Sequence, residues 1–185
     1  MVDYLLNCLS SVSLIVFISL AFSAYMTTLP LDGIKKVSAQ SSVTTNQSTS
    51  FTVLQPSGWE KIKGNSSANI IIFRAPMEND TGIGIYASQL PYRNISLSEY
   101  NMIQVEVLNQ SYHLLNHSMT SLSEKPAYQA VYSDPAKGSK GTTALQIWTI
   151  KDDKVFSIIY LAGTDQFGDY MTHAQDVIKS FQFNR

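Results

Sequence analysis

The sequence predicts an α+β domain in which helices cover both faces of one antiparallel sheet, an α/β/α sandwich. Three observations predict it. Alternating apolar segments follow one another at hairpin-length intervals, which makes neighbouring strands antiparallel. The segment VFSIIYLA is apolar on both sides, with Phe156, Ile158 and Tyr160 pointing one way and Val155, Ile159 and Leu161 the other. Both sides of a central strand must then be covered. Two further segments carry helical spacing, and two apolar faces need two covers.

Residues 1–39 form a separate unit, a signal peptide or N-terminal membrane anchor. No charged side chain occurs from Tyr4 to Leu31, and the centre, SSVSLIVFISLAFSAYM, is apolar enough to enter a bilayer. Val37-Ser38-Ala39 fits a small-residue cleavage site, with cleavage after Ala39. Cys8 is the single cysteine of the chain, so the rest has no disulfide, thiolate metal site or cysteine nucleophile. Residues 40–50, QSSVTTNQSTS, read as a flexible linker, and the domain occupies 51–185.

That domain opens with a strand at 51–55. Pro56-Ser57-Gly58 supplies turn chemistry, since proline sets φ and glycine permits positive φ. Trp59 begins a second strand, WEKIKG; a third is NIIIFRAP and a fourth GIGIYASQL. Gly82 and Gly84 lack the loop that phosphate binding needs, so a bulge or close packing explains them. Ser96-Leu97-Ser98-Glu99 is a capping box with Ile95 and Tyr100 as its staple. It starts a helix over 96–109 whose inner face is Leu97, Tyr100, Ile103 and Val107. A long extended stretch and PAYQAVYSD follow, then a loop, PAKGSKG, and the strand TTALQIWTIK. Asp152-Asp153 turns tightly into KVFSIIYLAG. The last helix is capped by Thr164 or Asp165, with Phe167, Tyr170, Met171, Ala174, Val177, Ile178 and Phe181 at helical spacing.

Charge excludes one broad class. The formal net charge is −1, and nucleic-acid binding needs a strongly basic face. Lys137 and Lys140 in the glycine-containing loop are flexible, hydrated charge. Six of the ten asparagines, Asn46, Asn65, Asn79, Asn94, Asn109 and Asn116, stand in N-x-[ST]. Chance in a chain of this Ser and Thr content gives roughly two. The excess points to a glycosylated extracytoplasmic surface, secreted or held by the N-terminal segment.

Catalytic chemistry does not assemble. There is no G-x-S-x-G elbow, and Glu78 with Asp80 reads as a solvated turn. For a divalent metal such as calcium the weak candidates are His113, His173, Asp165 and Asp169. His113 and His117 lie four apart on an extended stretch, hence on one side and about 13 Å apart, too far for one ion. Asp152-Asp153 serves the turn better than an ion. No cofactor is expected. Tyr86, Tyr92, Tyr128 and Tyr132 supply material for either core or interface.

In order and spacing, F-x-x-x-x-P-S-G-W at 51–59, IIFRAP, SLSEY, KPAYQAVY, LQIWTIKDDKVFSIIYLAG, Tyr170 and Ser180-Phe181 resemble the PsbP-like proteins, the extrinsic photosystem II subunit superfamily. The resemblance implies the sandwich fold and a packing role for Trp59 at the sheet edge, with ligand stacking as the alternative. Photosynthetic members sit in the lumen, help retain calcium and chloride at the water-oxidising cluster, and are not enzymes. This chain departs from them. Its first arginine is Arg74, so it has no twin-arginine or Arg-rich targeting segment, and it has no lipobox. It is similar to a non-photosynthetic prokaryotic or archaeal exported relative. The function so implied is a non-catalytic module docking on a membrane protein complex. The alternative is a small-molecule or lipid carrier with a cleft between helix 96–109 and the sheet.

Overall fold

The computed structural model describes residues 43–45, 51–63, 71–76, 80–134 and 141–184. Ala39 and the leader, Asn46, Asn65, Asn79, Glu78, Lys137 and Lys140 lie outside the described residues.

The architecture is α+β, mostly antiparallel sheet with two helices. A three-stranded sheet is ordered β1-β2-β10, from β1 (Val43–Thr45), β2 (Phe51–Leu54) and β10 (Gln182–Phe183). Part of the expected linker is therefore strand, with Thr44 opposite Val53. The larger sheet contains β3 (Glu60–Lys63), β4 (Ile71–Arg74), β5 (Gly82–Gln89), β6 (His113–Leu122), β7 (Lys125–Ser133), β8 (Thr142–Lys151) and β9 (Lys154–Gly163). Its order is β3-β4-β5-β9-β8-β7-β6, antiparallel throughout. The helices are α1 (Leu97–Ser111) and α2 (Met171–Ser180).

Local chemistry explains the turns. Gly58 sits at φ +78° and Trp59 N–H bonds the Pro56 carbonyl, closing the turn after β2. Asp152 and Asp153 both hold positive φ in the two-residue β8–β9 loop, as a type I′ hairpin requires. Ser123 and Glu124 do the same between β6 and β7. That second hairpin is not evident in the sequence, because neither residue is a favoured left-handed former. Gly84 answers to close packing. A Cβ there would lie 2.6 Å from the Tyr86 hydroxyl, because that ring lies back across the glycine.

Alternation along β9 sends Phe156, Ile158 and Tyr160 into one buried cluster and Val155 and Ile159 into another. The first cluster also holds Phe51, Phe73, Phe181 and, from α2, Ala174 and Val177. The second holds Tyr86, Tyr132, Trp148 and, from α1, Tyr100 and Leu108.

Both helices differ in detail from expectation. Ser96 and Glu99 do form the capping box. The buried side of α1, however, is Tyr100, Gln104, Val107 and Leu108, because Gln104 turns inward onto a buried glutamine of the sheet. The second helix starts at Met171, not after Thr164 or Asp165, and its N-cap Tyr170 makes no side-chain cap bond. Residues 164–170 run as successive tight turns, with Gln166 N–H on the Gly163 carbonyl and Asp169 N–H on that of Gln166. Gly163 just before this run and Gly168 within it lower its helix propensity.

Candidate functional site

The border of α1 with β6, the last strand of the large sheet, gathers the unusual chemistry. Ser96 positions α1. Its backbone N–H and hydroxyl donate to the Glu99 carboxylate (2.8 and 2.6 Å) and its oxygen accepts from Glu99 N–H (3.2 Å). These bonds to Ser96 hold the Glu99 carboxyl below its ordinary value, since hydrogen bonds to a carboxylate favour the charged form.

Beneath α1, His117, Ala130 and Gln146 stand abreast on β6, β7 and β8. The His117 imidazole donates from Nε2 to Asn101 Oδ1 at 2.8 Å, tying β6 to α1. Its ring stacks on Tyr128 (5.6 Å, 11°) and Trp148 (6.2 Å, 17°). Ala130 contributes only a methyl, which lets the indole reach across two strands. Gln146 Oε1 accepts from the Tyr132 hydroxyl (3.1 Å), and Gln146 Nε2 reaches Gln104 Oε1 at 3.5 Å. Among the described residues, buried polar atoms without a partner occur on Arg74 and Thr81 and, at this site, as the donors Gln104 Nε2 and Trp148 Nε1; the side chains of the last two are 1% and 0% exposed. An unmade bond of this kind costs about 1–3 kcal/mol.

Two open grooves flank α1. One of about 430 Å³ runs past Tyr92, Asn94 and Ile95 to Glu99, Met102 and Glu106. The other, about 470 Å³, lies between α1 and β6, lined by Asn101, Met102, Val105, Glu106 and His117. Exposed large hydrophobic residues gather on the same border. Met119 is 68%, Met102 63% and Leu115 53% exposed, and the only other one among the described residues is Leu54 on β2.

The expected metal candidates are not brought together. A bulge at Leu115 shifts the β6–β7 register, so His113 faces Ser133 and His117 faces Ala130. The extra residue turns the two histidines to opposite faces of the sheet, not to one side as strict alternation implies. His173 packs on Trp59 (5.6 Å) and Tyr170 (6.4 Å), and Asp165 and Asp169 are exposed on the turns before α2. No group of three His, Cys, Asp or Glu suited to a metal occurs among the described residues. Trp59 is buried edge-on against Tyr170 at 5.8 Å. The Tyr160 hydroxyl donates to the Phe167 carbonyl (2.8 Å), and burial first, then Asp169 and Tyr170, push its pKa up. Of the sequons, Asn94, Asn109 and Asn116 are described, and all three are exposed. Gln104, Gln146 and Trp148 are the site residues the sequence does not announce. An amide inside an apolar strand, as in TTALQIWTIK, is the only signal for them.

An antiparallel sheet with two helices in this order defines an α+β protein of PsbP-like fold, and solved structures bear out that class. Cyanobacterial PsbP (CyanoP) from Synechocystis sp. is similar with TM-score 0.57 at 16% identity, over 84% of this chain and 99% of that one. LpqN, involved in cell envelope biogenesis of Mycobacterium tuberculosis, is similar with TM-score 0.59 at 18% identity, over 79% of this chain and 91% of its own. The Ran-binding protein Mog1p of Saccharomyces cerevisiae shares the fold more loosely, with TM-score 0.52 at 10% identity over 79% and 96%. No family model and no curated protein sequence matches the chain.

Proposed function

We propose that this protein is a non-catalytic, extracytoplasmic binding or assembly module that docks on a membrane protein complex. The observation that carries the reading is the edge of the sheet at β6. Its ten residues, HLLNHSMTSL, contain no Asp, Glu, Lys or Arg, and Leu115 and Met119 stand exposed on it beside Met102 of α1. Free edges are normally guarded by charge or proline. An uncharged, partly apolar edge suits an added strand from a partner, with main-chain bonds for affinity and side-chain contacts for choice.

Fold alone does not decide function, and the same fold serves a Ran-binding protein. Export is supported by the apolar segment within residues 1–39, by the sequons, and by likeness to a protein of cell envelope biogenesis. The two clusters, one with α1 and one with α2, support α/β/α layering with the sheet between the helices. The chain works in this reading as a prokaryotic or archaeal relative of PsbP-like proteins, without a cofactor. Glycans on Asn94, just before α1, and on Asn109, in its last turn, are compatible with this reading, since both side chains are exposed. A glycan on Asn116 would block β6, so occupancy there and docking through β6 exclude each other.

The test is capture of the tagged protein from its native membranes at low and high salt. A single membrane complex should be retained at both, because apolar and main-chain contacts are little screened, and Met119→Asp should release it. No partner in either condition sinks the reading, and so does a complex indifferent to Met119→Asp and Leu115→Asp together.

A further inference from the structure

We infer that the space between α1 and β6 is a binding site for a small uncharged molecule with a hydrogen-bond-accepting carbonyl on an apolar body. The carbonyl would take the free N–H groups of Gln104 and Trp148, and the body would lie in the adjoining groove. The inference goes beyond the docking reading and does not depend on it.

Three observations converge. The two donors are buried, unpartnered and close to one another in the fold. Gln104 meets Gln146, and Trp148 stands two residues along the same strand, with side chains on the same side. The free groups of the pair, Gln104 Nε2–H and Trp148 Nε1–H, are both donors, so they cannot satisfy each other. The groove of about 470 Å³ is lined by neighbours of the two donors, though by neither donor itself. Asn101 and Val105 line it from α1 on either side of Gln104 in sequence, and His117 lines it while stacked on Trp148. Among the described residues, the His117–Asn101 hydrogen bond is the one polar contact that joins the groove walls. It spans two partly exposed side chains, so opening it costs little compared with opening a buried one.

The donor set selects the ligand's chemistry. Both free donors are neutral, and no Lys or Arg lines the groove, whereas Glu106 does. A carboxylate would be desolvated without a counter-ion and repelled by Glu106. A hydrocarbon would leave both N–H groups unpaired. A neutral carbonyl on a flat or flexible apolar body avoids both costs, with Met102 and Val105 as adaptable walls.

The test uses acetanilide as the probe, with benzoate and toluene as the charged and acceptor-free controls, on the isotopically labelled full chain. The chain has only two tryptophans, Trp59 and Trp148, so the two indole N–H resonances report separately. Acetanilide should move the Trp148 indole and the Gln104 side-chain amide resonances saturably while Trp59 stays put. Benzoate and toluene should bind at least tenfold more weakly. Gln104→Met, which keeps side-chain length, should weaken acetanilide at least tenfold. If that variant does not fold, Val105→Lys, on the groove wall, must produce the loss instead. The inference is overturned by no saturable shift at Trp148, or by equal binding of toluene. A long-lived water on the two donors that acetanilide does not displace overturns it as well, as does unchanged affinity in the folded variants.

Discussion

The cluster under α2 and the cluster under α1 are built from different materials. Under α2 the core is hydrocarbon and aromatic. Phe51 stacks on Phe181 (4.9 Å) and meets Phe156 edge-on (6.2 Å), while Phe183 stands edge-on to Phe156 (4.9 Å). The Tyr160 hydroxyl is bonded there, and so is that of Thr149 on the same face of β8. Under α1 lie Tyr86, Tyr100, Tyr132 and Trp148 with two buried amides, Gln104 and Gln146. Burial pushes the Tyr86 and Tyr100 hydroxyls far up, with Tyr132 adding to the effect at Tyr86. One cluster is a stabilising core that is almost wholly hydrocarbon, although Thr81 Oγ1, buried one residue before β5, has no partner in the protein. The other keeps polar groups at the cost of leaving two donors unmet, and it borders the exposed methionines and the open grooves. A protein of marginal stability tolerates such a deficit where it serves recognition.

Substitutions can break or sharpen this contrast. The largest effect belongs to the α2 side. Phe156→Ala removes a ring that touches Phe51 and Phe183 and should cost about 3–5 kcal/mol in urea unfolding, enough to leave little folded protein. A loss well below that would mean the α2 cluster is not the tighter of the two. On the α1 side, Gly84→Ala places a methyl against the buried Tyr86 ring and should cost about 1–3 kcal/mol. A neutral result would show that Tyr86 has room to move and that this cluster is loosely packed. The smallest effect is at the entry to α1. Ser96→Ala should cost about 1 kcal/mol through the lost N-cap.

The same cap sets a pH dependence. Because the folded Glu99 carboxyl lies below its unfolded value, its contribution is present above the unfolded value and is lost as pH falls through the folded one. Thermal melts taken from neutral pH downward should therefore show an acid-side decline that is shallower in Ser96→Ala.

Much of the scaffold is legible in the chain because its signals are local. The capping box at Ser96 and Glu99 needs only four residues, and the tight turn at Asp152-Asp153 only two. The double-sided apolar pattern of β9 is visible at a glance, and both of its faces are buried. The misreadings are non-local. Thr164 and Asp165 resemble a cap, but Thr164 instead meets Thr143 at 3.0 Å across the β8–β9 end. The Ser123-Glu124 turn takes an unfavoured conformation in which the Ser123 hydroxyl accepts from Phe183 N–H, sixty residues away. No local propensity contains that bond.

For the site, the sequence by itself determined an uncharged β6, the histidines and the sequons, because composition and spacing are one-dimensional. Tertiary structure alone decided the rest. One bulge at Leu115 turned His113 away from His117, since a single inserted residue reverses the facing of a strand. The rotation of α1 brought Gln104 onto Gln146, forty-two positions apart, leaving an amide and an indole facing inward without acceptors. Whether a buried donor is satisfied depends on which elements meet above it, and that is a property of packing.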